Sequence, residues 1–290
     1  MNDTRIVPIL AGGGTRLSAH IGILTALQEL QLEFDHLVGV SGGSIVGALY
    51  ASGRSVESIN SIANETDFSQ FLSQSLYQLL RSGGLSSGDS FEEWIDQKLN
   101  GATFEDLRLD FHVVATDVRT GRPVIFDRQK TPQLKVSKAV RFSMSIPILF
   151  SFKQFKDHLL VDGSILSEDA LQRDWSGKGD PVLCFRLRSL QEASAPKRNP
   201  IIPLGQYLAM LVRTFMTTMS REYINDTFWH STVVVQAGTI SPIDFKLTAE
   251  QKSQLFKAGY DTALRIVPMK LQRNNAAAPM FKQSAETGSR

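Results

Sequence analysis

Three short stretches of this sequence hold residue types that could do covalent chemistry. The first is Gly39-Val40-Ser41-Gly42-Gly43, inside "FDHLVGVSGGSIVGALYASG". A serine with Gly39 and Gly43 two residues to either side, between an apolar strand pattern and a helical one, fits a sharp turn that lifts its hydroxyl clear of a sheet. The start of the following helix would favour negative charge there. The same five residues could also serve only to tighten a strand-to-helix corner. The second stretch is "AGGGTRLSAH", where Gly12, Gly13 and Gly14 end one apolar strand and open the next helix. Glycines leave backbone N–H groups bare enough to crowd an anion, which in a serine hydrolase would be the oxyanion of a tetrahedral intermediate. A phosphate loop is the rival reading, but neither G-x-x-x-x-G-K-[ST] nor G-x-G-x-x-G is present. Arg16 is either an electrostatic aid pointing into such a site or a helix-surface charge. The third stretch is "LLVDGSI", in which Asp162 ends an apolar strand.

A serine nucleophile needs a base. The histidines are His20, His36, His112, His158 and His230. His20 falls within a helical pattern and His36 and His112 at strand starts, places typical of structural histidines; His158 and His230 are the two placed to suit a triad. Asp162 is the stronger candidate, because the end of an apolar strand brings it to the sheet edge where α/β sites gather. It would act as base if it lay within hydrogen-bond reach of Ser41. Its other reading is a turn former or helix N-cap.

The elements that must hold these residues alternate. "RIVPIL" reads as a short buried strand, and Ile21, Leu24, Leu27 and Leu30 follow at helical spacing. "FDHLVGV" is a second strand and "SIVGALYASG" a helix stopping at Gly53. Residues 56–80 read as a polar helical cover or lid, and "SFEEWIDQKL" as a helix with Ser90 as N-cap and Glu93 completing a capping box. Further strands are expected at "DFHVVATDV", "RPVIF", "HLLVD", "PVLCFRL" and "STVVVQA". Helix between strands, repeated, gives an α/β fold with a mainly parallel sheet covered on both faces.

Composition narrows the function classes. The 290 residues are 42% hydrophobic and 21% charged, enough for one large core. A formal charge of +2, without a Lys/Arg run, gives no nucleic-acid surface. A single cysteine, Cys184, in an apolar strand pattern excludes an internal disulfide framework and multi-cysteine metal sites. No apolar run is long enough to cross a bilayer, and the N-terminus lacks a signal-peptide pattern. The expected location is cytoplasmic or at a membrane surface, with secretion lacking a cleaved signal left open. Leu204, Tyr207, Leu208, Leu211, Val212, Phe215, Met216 and Met219 form one apolar face at helical spacing, read first as core and second as lipid-facing. "SIPILFSF" is the better candidate for an acyl groove, with Pro147 ending the helix before it.

Together the glycine loop, the G-x-S-x-G and the Asp-Gly resemble the patatin-like phospholipases. The likeness is close over residues 6–54 and looser through "GLSSGDSFEEWIDQKLNGATFEDL", "FHVVATDVRTGRPVIF", "AVRFSMSIPILF", "LLVDGS" and "LTAEQKSQLFKAGYDTALRIV". It implies a three-layer α/β/α patatin-like fold over residues 1–272; the final "RNNAAAPMFKQSAETGSR", 273–290, reads from its own composition as a flexible C-terminal tail. It also implies a Ser41–Asp162 dyad without histidine, an oxyanion hole at Gly12, Gly13 and Gly14, and no metal or organic cofactor. The implied substrate is a membrane phospholipid or lysophospholipid, approached by peripheral membrane contact. Two departures stand out. Leu17 occupies the place of the family's usual glycine, which would narrow the oxyanion loop. "DGSILSEDALQRDW" replaces the family's DGG or DGA, although Ser164 is small enough for the same turn; the conformation around Glu168 and Asp169 is expected to differ. Two rival classes remain: a Ser41–Asp162–His230 esterase of the α/β-hydrolase type, and a catalytically silent lipid-binding module. An acyltransferase would differ only in what attacks the acyl-enzyme.

Overall fold

The computed structural model describes residues 5–72, 76–163, 173–189 and 229–286, with positions 207, 210, 211 and 214. Two successive strand–helix units open its centre. β1 (Val7–Ala11) leads into α1 (Leu17–Glu29), and β2 (His36–Val40) into α2 (Gly42–Ala51). After α3 (Val56–Glu65), α4 (Leu76–Ser82), β3 (Gly84–Ser86) and α5 (Asp89–Lys98), the chain returns through β4 (Asp110–Asp117) and β5 (Arg122–Phe126). α6 (Val136–Ser143), β6 (Ile148–Phe150), β7 (Lys153–Phe155) and β8 (His158–Val161) follow. β9 (Val182–Arg188), β10 (Thr232–Gln236) and the long α7 (Ala249–Glu286) complete the described elements.

The main sheet runs β10-β9-β1-β2-β4-β8-β7, with β5 also paired to β4. Its five strands from β10 to β4 are parallel, whereas β5, β8 and β7 add antiparallel pairs. Even though β1 and β2 are buried on both faces, their side chains still alternate. Leu10 and Leu37 join the large cluster with α1, α2, α6 and α7, while Val7, Ile9, Ala11, Val38 and Val40 join a smaller cluster with Val114, Trp175 and Cys184 on the opposite face. Cys184 is fully buried, and burial raises its thiol pKa. α7 packs along α1. Its helical backbone passes residue 272, where the sequence suggested that a tail begins, and reaches Glu286.

Two local expectations are corrected. The 56–80 segment is not one helix: the backbone turns extended at Thr66 and Asp67, a short 3-10 turn follows at Phe68–Phe71, and α4 starts afresh. Phe68 and Phe71 leave the polar surface to pack edge-on with Phe91 and Trp94, which forces that break. α5 begins one residue before Ser90, capped by Gly88 in a left-handed conformation without a side-chain bond, so no capping box forms. Most of the apolar 204–219 stripe and all of Ser164, Glu168 and Asp169 lie outside the described residues.

Candidate active site

Ser41 sits at the joint between β2 and α2 with φ 52° and ψ −128°, a region a non-glycine residue enters only when its surroundings impose it. The imposing contacts are specific. Its N–H donates to Ser143 Oγ at 2.8 Å, and Ser143 Oγ donates onward to the Val114 carbonyl at 2.6 Å. Its own carbonyl accepts from Ser44 N at 2.8 Å and Ser44 Oγ at 2.6 Å. The motif's glycines are there for close approach: a Cβ on Gly43 would fall 2.1 Å from the Leu10 carbonyl oxygen, and one on Gly39 2.6 Å from Ser44 Cα. The elbow therefore stands pressed between β1 and the first turn of α2.

Asp162 reaches Ser41 from the other direction. β8 is antiparallel to β4, pairing Val161 with Thr116, so the chain runs back toward the level of Val114 rather than outward with the parallel strands. Asp162 N donates to Ser145 O at 2.9 Å and Gly163 N to Ser143 O at 3.3 Å, locking the strand end against the turn that follows α6. The outcome is a Ser41 Oγ to Asp162 Oδ2 hydrogen bond of 2.6 Å, with both residues at most 1% exposed. Met144 Sδ is 3.8 Å from the same hydroxyl.

The glycine loop lies beside the elbow, linked by Gly43 N donating to Gly12 O at 3.0 Å. Gly12, Gly13 and Gly14 all have positive φ. The Gly12 N–H is already engaged with Val40 O at 3.1 Å, whereas those of Gly13 and Gly14 have no backbone acceptor among the described residues. Beneath the loop, His20 Nε2 lies 3.0 Å from Gly12 O. A carbonyl only accepts, so Nε2 carries the proton, and Nδ1 has no partner among the described residues. Burial, first of all, pushes the His20 pKa down to about 4, keeping the ring neutral.

Arg16 is not a surface charge. It is 3% exposed, and its Nε donates to Gly13 O at 3.0 Å while Nη1 donates to Ser189 Oγ at 2.6 Å. It staples the loop to the end of β9, and burial lowers its pKa to about 10. Thr15 fastens the other end, its Oγ1 donating to Asp244 O at 2.7 Å and its N to Pro242 O at 3.0 Å. Leu17 opens α1 with its side chain taken up by the large core cluster at 4% exposure.

Neither triad histidine is bonded to Ser41. His158 Nδ1 lies 3.2 Å from Asp117 Oδ2, and His230 is exposed in a short 3-10 turn before β10. Among the described residues no group of three or more His, Cys, Asp and Glu side chains could hold a metal ion. Sequence reasoning missed Ser143, Ser145 and the loop-supporting role of His20. The signal available was a pair of serines in an otherwise apolar "RFSMSIPILF", polar groups that a buried turn must satisfy.

A family model described as patatin-like phospholipase matches residues 9–171, more than half of the chain and all of the residues just described up to Asp162. The chain belongs to the patatin-like phospholipase family. The uncharacterised protein YqhO of Bacillus subtilis is 26% identical over 278 residues, spanning 87% of this chain and 94% of that protein. The neuropathy target esterase sws of Drosophila persimilis is 31% identical over 167 residues, 55% of this chain but 11% of the esterase. The crystal structure of VipD from Legionella pneumophila has a TM-score of 0.63 at 15% identity, covering 92% of this chain and 67% of VipD. That likeness is one of fold, and with it the sheet and flanking helices take their place as a three-layer α/β/α patatin fold. The family is one of lipid hydrolases.

Proposed function

We propose that the protein is a lipid acyl hydrolase of phospholipase A or lysophospholipase type, working through a Ser41–Asp162 dyad. Ser41 Oγ attacks the ester carbonyl carbon as Asp162 takes its proton; the C–O bond to the alcohol then breaks, and that proton passes to the departing oxygen. Water, deprotonated in turn by Asp162, releases the fatty acid from Ser41. The N–H groups of Gly13 and Gly14 hold the oxyanion, while Arg16 and Gly12 support the loop and do not themselves donate to the oxyanion. The α2 N-terminus adds favourable potential. No step calls for a metal or an organic cofactor.

The observation that carries this reading is the direct 2.6 Å contact between hydroxyl and carboxylate, with no imidazole between them. The apolar strap after α6 supports an alkyl substrate: Ile146 and Phe150 are buried and Leu72, Ile148, Leu149, Ile243 and Phe245 pack around them. That cluster shares the 242–245 stretch which fastens Thr15 and so borders the glycine loop. Peripheral contact with a membrane, from a cytoplasmic or membrane-surface location, completes the proposal. Tyr207, Met210 and Leu211 are each more than 40% exposed, and among the described residues no helix is long and apolar enough to cross a bilayer.

The test is labelling by a fluorophosphonate together with fatty-acid release from phospholipid and lysophospholipid vesicles. Wild type should label at Ser41 and release fatty acid; Ser41→Ala should do neither, losing at least about three orders of magnitude of turnover. Labelling of wild type elsewhere, or a Ser41→Ala protein with more than about a tenth of the activity, would remove the nucleophile from the scheme.

A further inference from the structure

Arg141 heads the fully buried side chains by size, and no step above uses it. Taking a guanidinium out of water is unfavourable unless a carboxylate or a full set of acceptors replaces its hydration. Among the described residues no carboxylate comes within ion-pair distance of it. Burial lowers its pKa to about 10, with Asp89 and Glu92 opposing only part of that effect. A Cβ on Gly88 would lie 2.3 Å from its Nε, so the pocket around it is closed.

What the guanidinium does hold is informative. Nη1 donates to Ser145 Oγ at 2.6 Å, and Nη2 donates to Ser151 O at 2.9 Å and to Ser87 O. Its plane also rides over the Phe150 ring, 5.5 Å from the centroid. These acceptors lie on three separate pieces of chain: the turn after α6, the residue after β3 and the residue after β6. Ser145 is the link to the site, since its carbonyl accepts the Asp162 N–H. Ser143, two residues earlier, accepts the Ser41 N–H, and Met144 touches the Ser41 hydroxyl. Residues 143–145 thus touch both members of the dyad.

We propose that Arg141 is a positioning residue: by gathering Ser145 and the ends of β3 and β6 against α6, it fixes the turn that sets the distance from Ser41 Oγ to Asp162 Oδ2. The inference rests on the acyl-hydrolase reading. A displacement of about an ångström at a reacting pair can slow turnover by about two orders of magnitude, so the effect belongs in kcat rather than in substrate binding.

The experiment counts competent sites by exhaustive fluorophosphonate labelling, then measures kcat and KM per labelled serine with a chromogenic ester. Lysine cannot reproduce the guanidinium fork. In Arg141→Lys, kcat per site should fall about tenfold or more while KM stays within about twofold. Guanidinium ion at a low, non-denaturing concentration should raise kcat of Arg141→Ala several-fold and leave wild type unchanged. Should Arg141→Ala not fold, Ser145→Ala removes only the hydroxyl and should lower kcat about threefold or more at constant KM. Wild-type kcat per labelled site in Arg141→Lys, with only thermal stability or the labelled fraction reduced, would overturn the proposal. Absence of Ser41 labelling in wild type itself would count against the acyl-hydrolase reading and not against the role of Arg141.

Discussion

Ser143 holds Ser41 from behind, accepting a hydrogen bond from its N–H at 2.8 Å and donating one from its own hydroxyl to Val114 O at 2.6 Å. One hydroxyl thereby satisfies two buried backbone groups and keeps a non-glycine residue at φ 52°. Ser143→Ala takes the acceptor from the Ser41 N–H and one donor from the Val114 carbonyl, which should cost about 1–3 kcal/mol of stability. It should also lower kcat at least tenfold or so, because the elbow relaxes. Chemical denaturation and steady-state kinetics check the two halves; full kcat in a destabilised variant would show that the elbow holds itself.

Gly13 tests the loop. At φ 103° any side chain is strained, and a Cβ would meet His20 Nε2 at 2.9 Å and Leu187 Cδ1 at 3.0 Å. Both neighbours are side-chain atoms, so Gly13→Ala should fold, at a cost of about 1–3 kcal/mol for the backbone conformation. Turning or moving this peptide withdraws an oxyanion donor, and kcat should fall by roughly two orders of magnitude. Unchanged kcat in the folded variant would place the oxyanion elsewhere.

His20 gives the loop a pH limit. Its folded pKa, about 4, lies below the ordinary value of 6.5, so between these values the unfolded chain binds a proton that the folded one refuses. Stability from this group is therefore full above about pH 6.5 and declines as the pH falls toward 4, by about 3 kcal/mol in total. His36 is also lowered, chiefly by burial, and adds in the same direction. His20→Gln keeps an N–H donor for Gly12 O without a titrating ring. The variant should lose stability less steeply than wild type between about pH 6.5 and 5, before carboxylates dominate. Parallel denaturation curves for the two proteins would mean that His20 does not carry the loss.

Much of the site could be read before the fold was known, because its parts are local. A serine between glycines, a run of three glycines and an aspartate after an apolar strand each announce a backbone geometry in a few residues. What escaped reading is held by long-range contact. Ser143 and Ser145 sit in a short apolar stretch with no periodic signal, and their partners Val114, Asp162 and Arg141 are defined only once β4, β8 and α6 meet. The direction of β8 was invisible for the same reason: hydrophobic alternation tells that "HLLV" is a strand and not which way it runs. The β3–β6 pair, Gly84 with Ile148 and Ser86 with Phe150, joins strands too short to register against their surroundings. Arg16 stayed open between an electrostatic aid and a surface charge because what decides it is distant; its acceptors are Gly13 beside it and Leu187, Ser189 and Ile240 far along the chain.

The central claim is that a carboxylate, with no histidine between, takes the proton of Ser41. The direct measurement is the rate of acyl-enzyme formation with a chromogenic ester in folded Asp162→Asn, His158→Gln and His230→Gln. An amide has the shape of the carboxylate but cannot accept the proton, so Asp162→Asn should slow acylation by about three orders of magnitude or more. Both histidine variants should stay within about tenfold of wild type, since neither ring transfers a proton in the transition state. In a triad the imidazole is itself the base and the aspartate only orients it. Collapse of acylation in either folded histidine variant would contradict the dyad.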